Sequence, residues 1–160
     1  MLHHASTMQV RPFRLDDAGA VEPWLTGPGL SLPGGTARIN WPERMLADSR
    51  IVAQVAVVEG RRVGFVRLDC GPDRIAEITL VIAPGTRRRG LGRRMFESAL
   101  EQARRLGVWR MVAIIDIGNE PALAFFQEQG FYADGLLGER IRLARIVHAG
   151  DHQRPLEIEV

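Results

Sequence analysis

Apolar residues recur along this chain at two spacings, every second position and every third or fourth, and the switches between them divide it into elements. "MQVRPF" from Met8 reads as a short strand. Residues 15–25, "LDDAGAVEPWL", open on aspartates and carry apolar residues at helical spacing. The Gly/Pro-dense "TGPGLSLPGGT" (26–36) is loop, long enough for a compact domain to suggest a functional role, and a helical stretch around 37–48 follows. "IVAQVAVV" (51–58) and "RVGFVRL" (62–68) flank a glycine-containing turn and predict a hairpin. After the "GPDR" turn, "IAEITLVIA" (75–83) is the next strand. From Gly90 the apolar residues Leu91, Met95, Phe96, Ala99, Leu100, Ala103 and Leu106 mark one face of an amphipathic helix. "VWRMVAII" (108–115) predicts a strand, 119–129 a short helix and "ERIRLARIV" (139–147) an alternating strand. The terminal "LEIEV" is a candidate further edge strand.

The order is β-α-α-β-β-β-α-β-α-β-β, an α/β (α+β) sandwich with helices covering a twisted sheet. Residues 1–7 read as a disordered lead-in and 8–160 as a single domain, since 160 residues suffice for one buried core. Hydrophobic and charged shares of 46% and 25% are those of a globular protein. The net charge of +2 is too small to call for a nucleic-acid partner. No apolar run approaches the ~20 residues of a membrane span, and the first residues lack a signal-peptide pattern, so a cytoplasmic location is expected. Every basic residue is arginine, which excludes a lysine nucleophile; the lone Cys70 excludes an internal disulfide and any multi-cysteine metal site. No metal is expected.

The chemistry concentrates in "VIAPGTRRRGLGRRMF" (81–96), where a strand runs into glycines and arginines ahead of a helix. Gly85 and Gly90 have Walker A spacing, but Leu91-Gly92 stand where Lys-Ser/Thr is required; a Rossmann fingerprint fails at Met95. The physical signal for an anion remains. A helix N-terminus offers free N–H groups and partial positive charge, and glycines let a ligand approach the backbone. A solvated basic turn accounts for the same residues equally well.

"PGTRRRGLG" resembles the acetyl-CoA signature of the GNAT acetyltransferase superfamily, Arg/Gln-x-x-Gly-x-Gly/Ala, with Arg87 first and Gly90 and Gly92 as the glycines. Arg88 departs from the glycine often found there. "NEPALAFFQEQGF" (119–131) resembles the family's second motif through Asn119, Ala122, Phe125, Gly130 and Phe131. Each of these also has a structural role: Asn119 as N-cap, Phe125 and Phe126 as core, Gly130 as helix terminator. The resemblance covers roughly residues 8–147.

It implies a mixed, mostly antiparallel sheet of about six or seven strands with about four helices, splayed between strands 4 and 5. It implies acetyl-CoA as cosubstrate, with Arg87, Arg88, Arg89, Gly90, Leu91, Gly92 and Arg93 around the pyrophosphate. Leu80, Val81 and Ile82 would hold pantetheine, and Asn119 and Phe126 would complete the donor site. Glu77 stands where many relatives place the carboxylate that deprotonates the amine; it also reads as a solvent-facing strand glutamate. All four histidines lie near the termini, which argues against a histidine base. Many relatives have a tyrosine at Phe126 as the leaving-group acid, which phenylalanine cannot replace. Tyr132, the sole tyrosine, is the nearby candidate, with solvent as its alternative. The implied function is acetyl transfer to the amine of a small molecule, such as an amino sugar or amino acid. The alternatives are a protein N-terminal acetyltransferase and a non-catalytic acyl-CoA-binding or regulatory domain. Homodimers are common in the family, so a homodimer is an implied assembly.

Overall fold

The computed structural model describes residues 7–26, 39–86 and 90–148. The predicted loop at 26–36, Arg87 to Arg89, the lead-in and the "LEIEV" tail lie outside these, apart from Thr7 and Thr26. The described strands form one sheet ordered β1-β2-β3-β4-β5-β7-β6. They are β1 (Met8–Pro12), β2 (Ile51–Val58), β3 (Arg61–Cys70), β4 (Ile75–Ile82), β5 (Arg110–Asp116), β6 (Tyr132–Leu137) and β7 (Arg140–Ile146). The helices are α1 (Ala18–Val21), α2 (Trp41–Ala47), α3 (Leu91–Arg105) and α4 (Glu120–Glu128). All neighbouring strands run antiparallel except β4 and β5, which are parallel.

The hairpin forms as its sequence predicts. Val58 pairs with Arg61, and the two loop residues Glu59 and Gly60 both take positive φ (52° and 79°), the primed turn that matches strand twist. The predicted helix at 15–25 is instead a 3-10 turn (Leu15–Asp17), one α-turn (α1) and a second 3-10 turn (Glu22–Thr26). Pro23, without an N–H, cannot continue an α-helical ladder. Asp17 is drawn inward: it is fully buried and accepts hydrogen bonds from Arg11, Arg62 and the Arg14 amide.

The seventh strand is β6, which the hydrophobic pattern did not announce. It is an edge strand with five of its six residues exposed and a register shift between Ala133 and Gly135, so no buried face imposes alternation.

Two cores flank the sheet. Beneath α3 and α4, Leu68, Ile78, Met111 and Leu143 meet Met95, Phe96, Ala99, Phe126 and Phe131. On the other face, Phe13, Val21, Trp41 and Met45 pack on Val55, Phe65 and Val81. Burying that many large apolar side chains, each worth about 1.5–3 kcal/mol, is what holds both layers to the sheet.

Gly64 sets how closely α3 approaches. A Cβ there would stand 2.3 Å from the Met95 sulfur and 3.3 Å from the Val81 carbonyl oxygen. Gly64→Val is therefore expected to overpack this contact and destabilise the protein by about 1–3 kcal/mol, read as a lower urea midpoint.

Candidate active site

The parallel pairing of β4 with β5 is brief. Ile75, Ala76 and Glu77 pair with Arg110, Met111 and Val112, and there the pairing ends. β4 continues to Ile82, held on its other side by β3 as far as Gly64, and β5 continues to Asp116, held by β7. From Ile78 onward the two strands part, so one backbone edge of β4 faces a gap. An unpaired strand edge accepts an extended partner through backbone hydrogen bonds.

The gap leads to the start of α3. Gly90 is its N-cap with φ 84°, a conformation that suits glycine. No side chain caps this end and no acidic residue lies in the first turn, so the first amides and the helix dipole are left for an anion. Space around Gly90 is open where a Cβ would stand. Gly92 also matters for packing. A Cβ would come within 3.1 Å of the Phe125 ring, so its absence lets α3 meet α4. Asn119 caps α4 by accepting from the Ala122 amide, and Gly130 ends that helix with φ 93°.

The predicted donor residues that the structure describes have three kinds of surroundings. Leu80 and Ile82 are partly buried against the α3 core, whereas Val81 is buried on the opposite face beside Phe65. Leu91 is buried and Arg93 exposed, paired with Glu97 at 3.3 Å. Phe126 is buried in edge-on contact with Phe125 and Phe131, a core position.

Strand register places Asp69, Glu77, Val112, Ala144 and Tyr132 side by side across the sheet. Glu77 is exposed and stands in the last paired row before the gap. Partial burial, and then the Asp69 carboxylate, push its carboxyl above the ordinary value, while Arg67 and Arg140 pull it down. Among the described residues it has no hydrogen-bond or ion-pair partner. Tyr132 sits on the edge strand three strand spacings away, about 14 Å. The structure does not bring the two together.

The hydrophobic pattern did not single out the charged residues around Glu77. Alternation in "FVRLDC" and "ERIRLARI" sets Arg67, Asp69, Arg140 and Arg142 opposite Leu68 and Leu143, a period-2 signal for one shared face. The structure pairs Arg67 with Asp69 (2.7 Å), Arg140 with Asp116 (3.2 Å), and both Arg110 and Arg142 with Asp134. Cys70 is half-buried, and burial followed by Asp69 raises its thiol, which leaves it a weak nucleophile.

A sheet whose β4–β5 pairing ends beside a glycine-capped helix is the arrangement that the acetyltransferase resemblance implies, and comparison with known proteins agrees on the family. The model of the acetyltransferase (GNAT) family matches residues 18–131. The chain belongs to that family of acetyltransferases, whose donor is acetyl-CoA. An N-acetyltransferase structure from Staphylococcus aureus Mu50 superposes with TM-score 0.76 at 17% identity, over 89% of this chain and 100% of that one. A ribosomal-protein-alanine N-acetyltransferase from Brucella melitensis gives TM-score 0.72 at 21% identity, over 86% and 99%. A spermidine N-acetyltransferase from Vibrio cholerae, solved with CoA and spermine, gives TM-score 0.70 at 17% identity, over 88% and 95%. In sequence, a mycothiol acetyltransferase from Cellulomonas flavigena is 41% identical over 66 residues, 37% of this chain and only 19% of that relative. Among the described residues no helix is long and apolar enough to cross a membrane, and no cluster of three metal-ligating side chains occurs.

Proposed function

We propose that this chain transfers the acetyl group of acetyl-CoA to the primary amine of a small molecule by direct attack. The observation that carries the reading is the end of β4–β5 pairing immediately after Glu77 and Val112. The free edge at Leu80, Val81 and Ile82 is shaped for an amide-bearing arm such as pantetheine, and an amide near Ile82 would polarise the thioester carbonyl. The amides from Gly90 to Arg93 suit the pyrophosphate, with Arg87, Arg88 and Arg89 contributing charge on sequence grounds. Asn119 and Phe126 support the site by capping and packing α4.

Glu77 is assigned as the group that takes the proton from the amine, through water. Burial and then Asp69 raise its pKa, a shift in the direction that strengthens a base. Tyr132 is left out of the step because two strands, β5 and β7, lie between it and Glu77. The departing thiolate takes its proton from solvent.

The buried Phe126, in place of a hydroxyl-bearing residue, favours a second reading as a non-catalytic acyl-CoA binder. Thiol release from acetyl-CoA across a panel of amines separates the two. Release that depends on a particular amine, with the acetylated amine as product, supports transfer. Tight acetyl-CoA binding with no release for any amine refutes it.

A further inference from the structure

The face of the sheet that carries Glu77 is electrically lopsided. Around Glu77, β3 and β4 bear Arg67, Asp69 and Glu77 on it, a surplus of one negative charge when all are ionised, while Arg62, further along β3, is taken up by Asp17. On β5, β6 and β7 it bears Arg110, Arg140 and Arg142 against Asp116 and Asp134, a surplus of one positive charge. The pairing leaves specific atoms over. Asp134 serves two arginines, and the Nε atoms of Arg110 and Arg142 are buried without a hydrogen-bond partner. Arg142 donates through Nη2 to the Asp134 carbonyl, and Arg140 through Nε to Asp116. Among the described residues, Nη1 of Arg142 and both Nη atoms of Arg140 have no partner. A guanidinium with free Nη groups suits a planar carboxylate or a phosphate.

The spacing is right for one small molecule. Arg142 lies beside Ile114, two residues along β5 from the Val112 that neighbours Glu77. Two strand spacings and two residues of rise put its Cα about 12 Å from that of Glu77, before either side chain reaches inward. Arg140 is one step further along β7 and forms a wall of a cavity of about 700 Å³ with Asp116, Ile117, Gly118, Leu137 and Glu139. Its charge is felt at Glu77. A polyamine would instead need a second free carboxylate near the first. Asp69, Asp116 and Asp134 are already paired, and Glu139 sits in the turn before β7, beyond both arginines as seen from Glu77.

We propose that the acceptor is an amine whose own molecule carries an anionic group, a carboxylate or a phosphate, held by Arg140 and Arg142 while the amine lies at Glu77. This rests on the transfer reading above.

The test is kcat/KM for matched acceptors: 4-aminobutyrate against butylamine, glucosamine 6-phosphate against glucosamine, and spermidine. The member of at least one pair that carries the anionic group is expected to exceed the partner without it at least tenfold, and to exceed spermidine. The pair that shows the larger ratio tells carboxylate from phosphate. Arg140→Gln, at an exposed ion pair, should shrink that ratio at least fivefold through KM, with Arg140→Lys restoring part of it. Arg142→Gln should do the same if it folds. Amines without the anionic group, or spermidine, matching those that carry it would overturn the proposal. So would an anionic preference that survives Arg140→Gln undiminished. Absence of transfer to every amine, with acetyl-CoA still bound, would instead overturn the transfer reading itself.

Discussion

Glu77→Gln is expected to lower turnover about 10²- to 10⁴-fold while leaving acetyl-CoA affinity near its original value. The amide keeps the size and polarity of the side chain but cannot accept the amine's proton. The surroundings of Glu77 give the result a pH signature. Partial burial and the like charge of Asp69 favour the protonated form, Arg67 and Arg140 oppose it, and the net effect is a raised pKa. The base is active only when ionised, so kcat/KM should fall as pH drops through that raised value, above the ordinary glutamate range of about 4.3. Glu77→Gln should remove this acid limb along with most of the rate. A variant whose rate is low but whose acid limb persists would assign the limb to another group. Unchanged turnover across pH would take Glu77 out of the mechanism.

The second large effect is on stability. Asp17→Ala is expected to cost about 3–5 kcal/mol, the penalty for breaking a buried pair and leaving its cations behind. Asp17 has no exposed surface and holds Arg11 at 2.8 Å and Arg62 at 2.6 Å, joining β1, the first 3-10 turn and β3. In a protein of this size that cost lowers the Tm by roughly 10 °C. Burial alone would raise the Asp17 carboxyl, but the hydrogen bonds from Arg11, Arg62 and the Arg14 amide outweigh it and hold it well below the usual carboxylate range. A depressed native pKa contributes stability above the unfolded value, near 3.9, and loses it as pH falls toward the native one. The gap in Tm between wild type and variant should therefore be full at neutral pH and narrow below about pH 4. A gap that stays constant into acid would mean packing, not charge, accounts for the loss.

What could be read from the sequence depended on how local the physics was. The hairpin at Glu59-Gly60, the amphipathic α3 and the Asn119-to-Gly130 span of α4 are each set by neighbouring residues, and each formed where the pattern placed it. β6 was missed because an exposed, bulged edge strand has no buried side to enforce alternation. The helix at 15–25 gives way at Pro23, a local signal, and Asp17 at its start answers to Arg62, 45 residues away, which no local period records. The same limit applies to the site. Glycines and arginines before α3 mark a place for an anion from composition alone, and the family resemblance put Glu77 at the splay. The arginines on β5 and β7 stand near Glu77 only through the register of three strands. That register decides which charges face an acceptor, and it is a property of the folded sheet.

The central claim is that the acetyl donor lies along the free edge of β4 and ends at the start of α3. Amide hydrogen exchange with and without saturating CoA tests it most directly. Slowed exchange concentrated in residues 78–82, at the amides that face β5, and in 90–94 is the predicted result. Protection centred elsewhere, or none in these two segments while CoA is bound, would contradict the account.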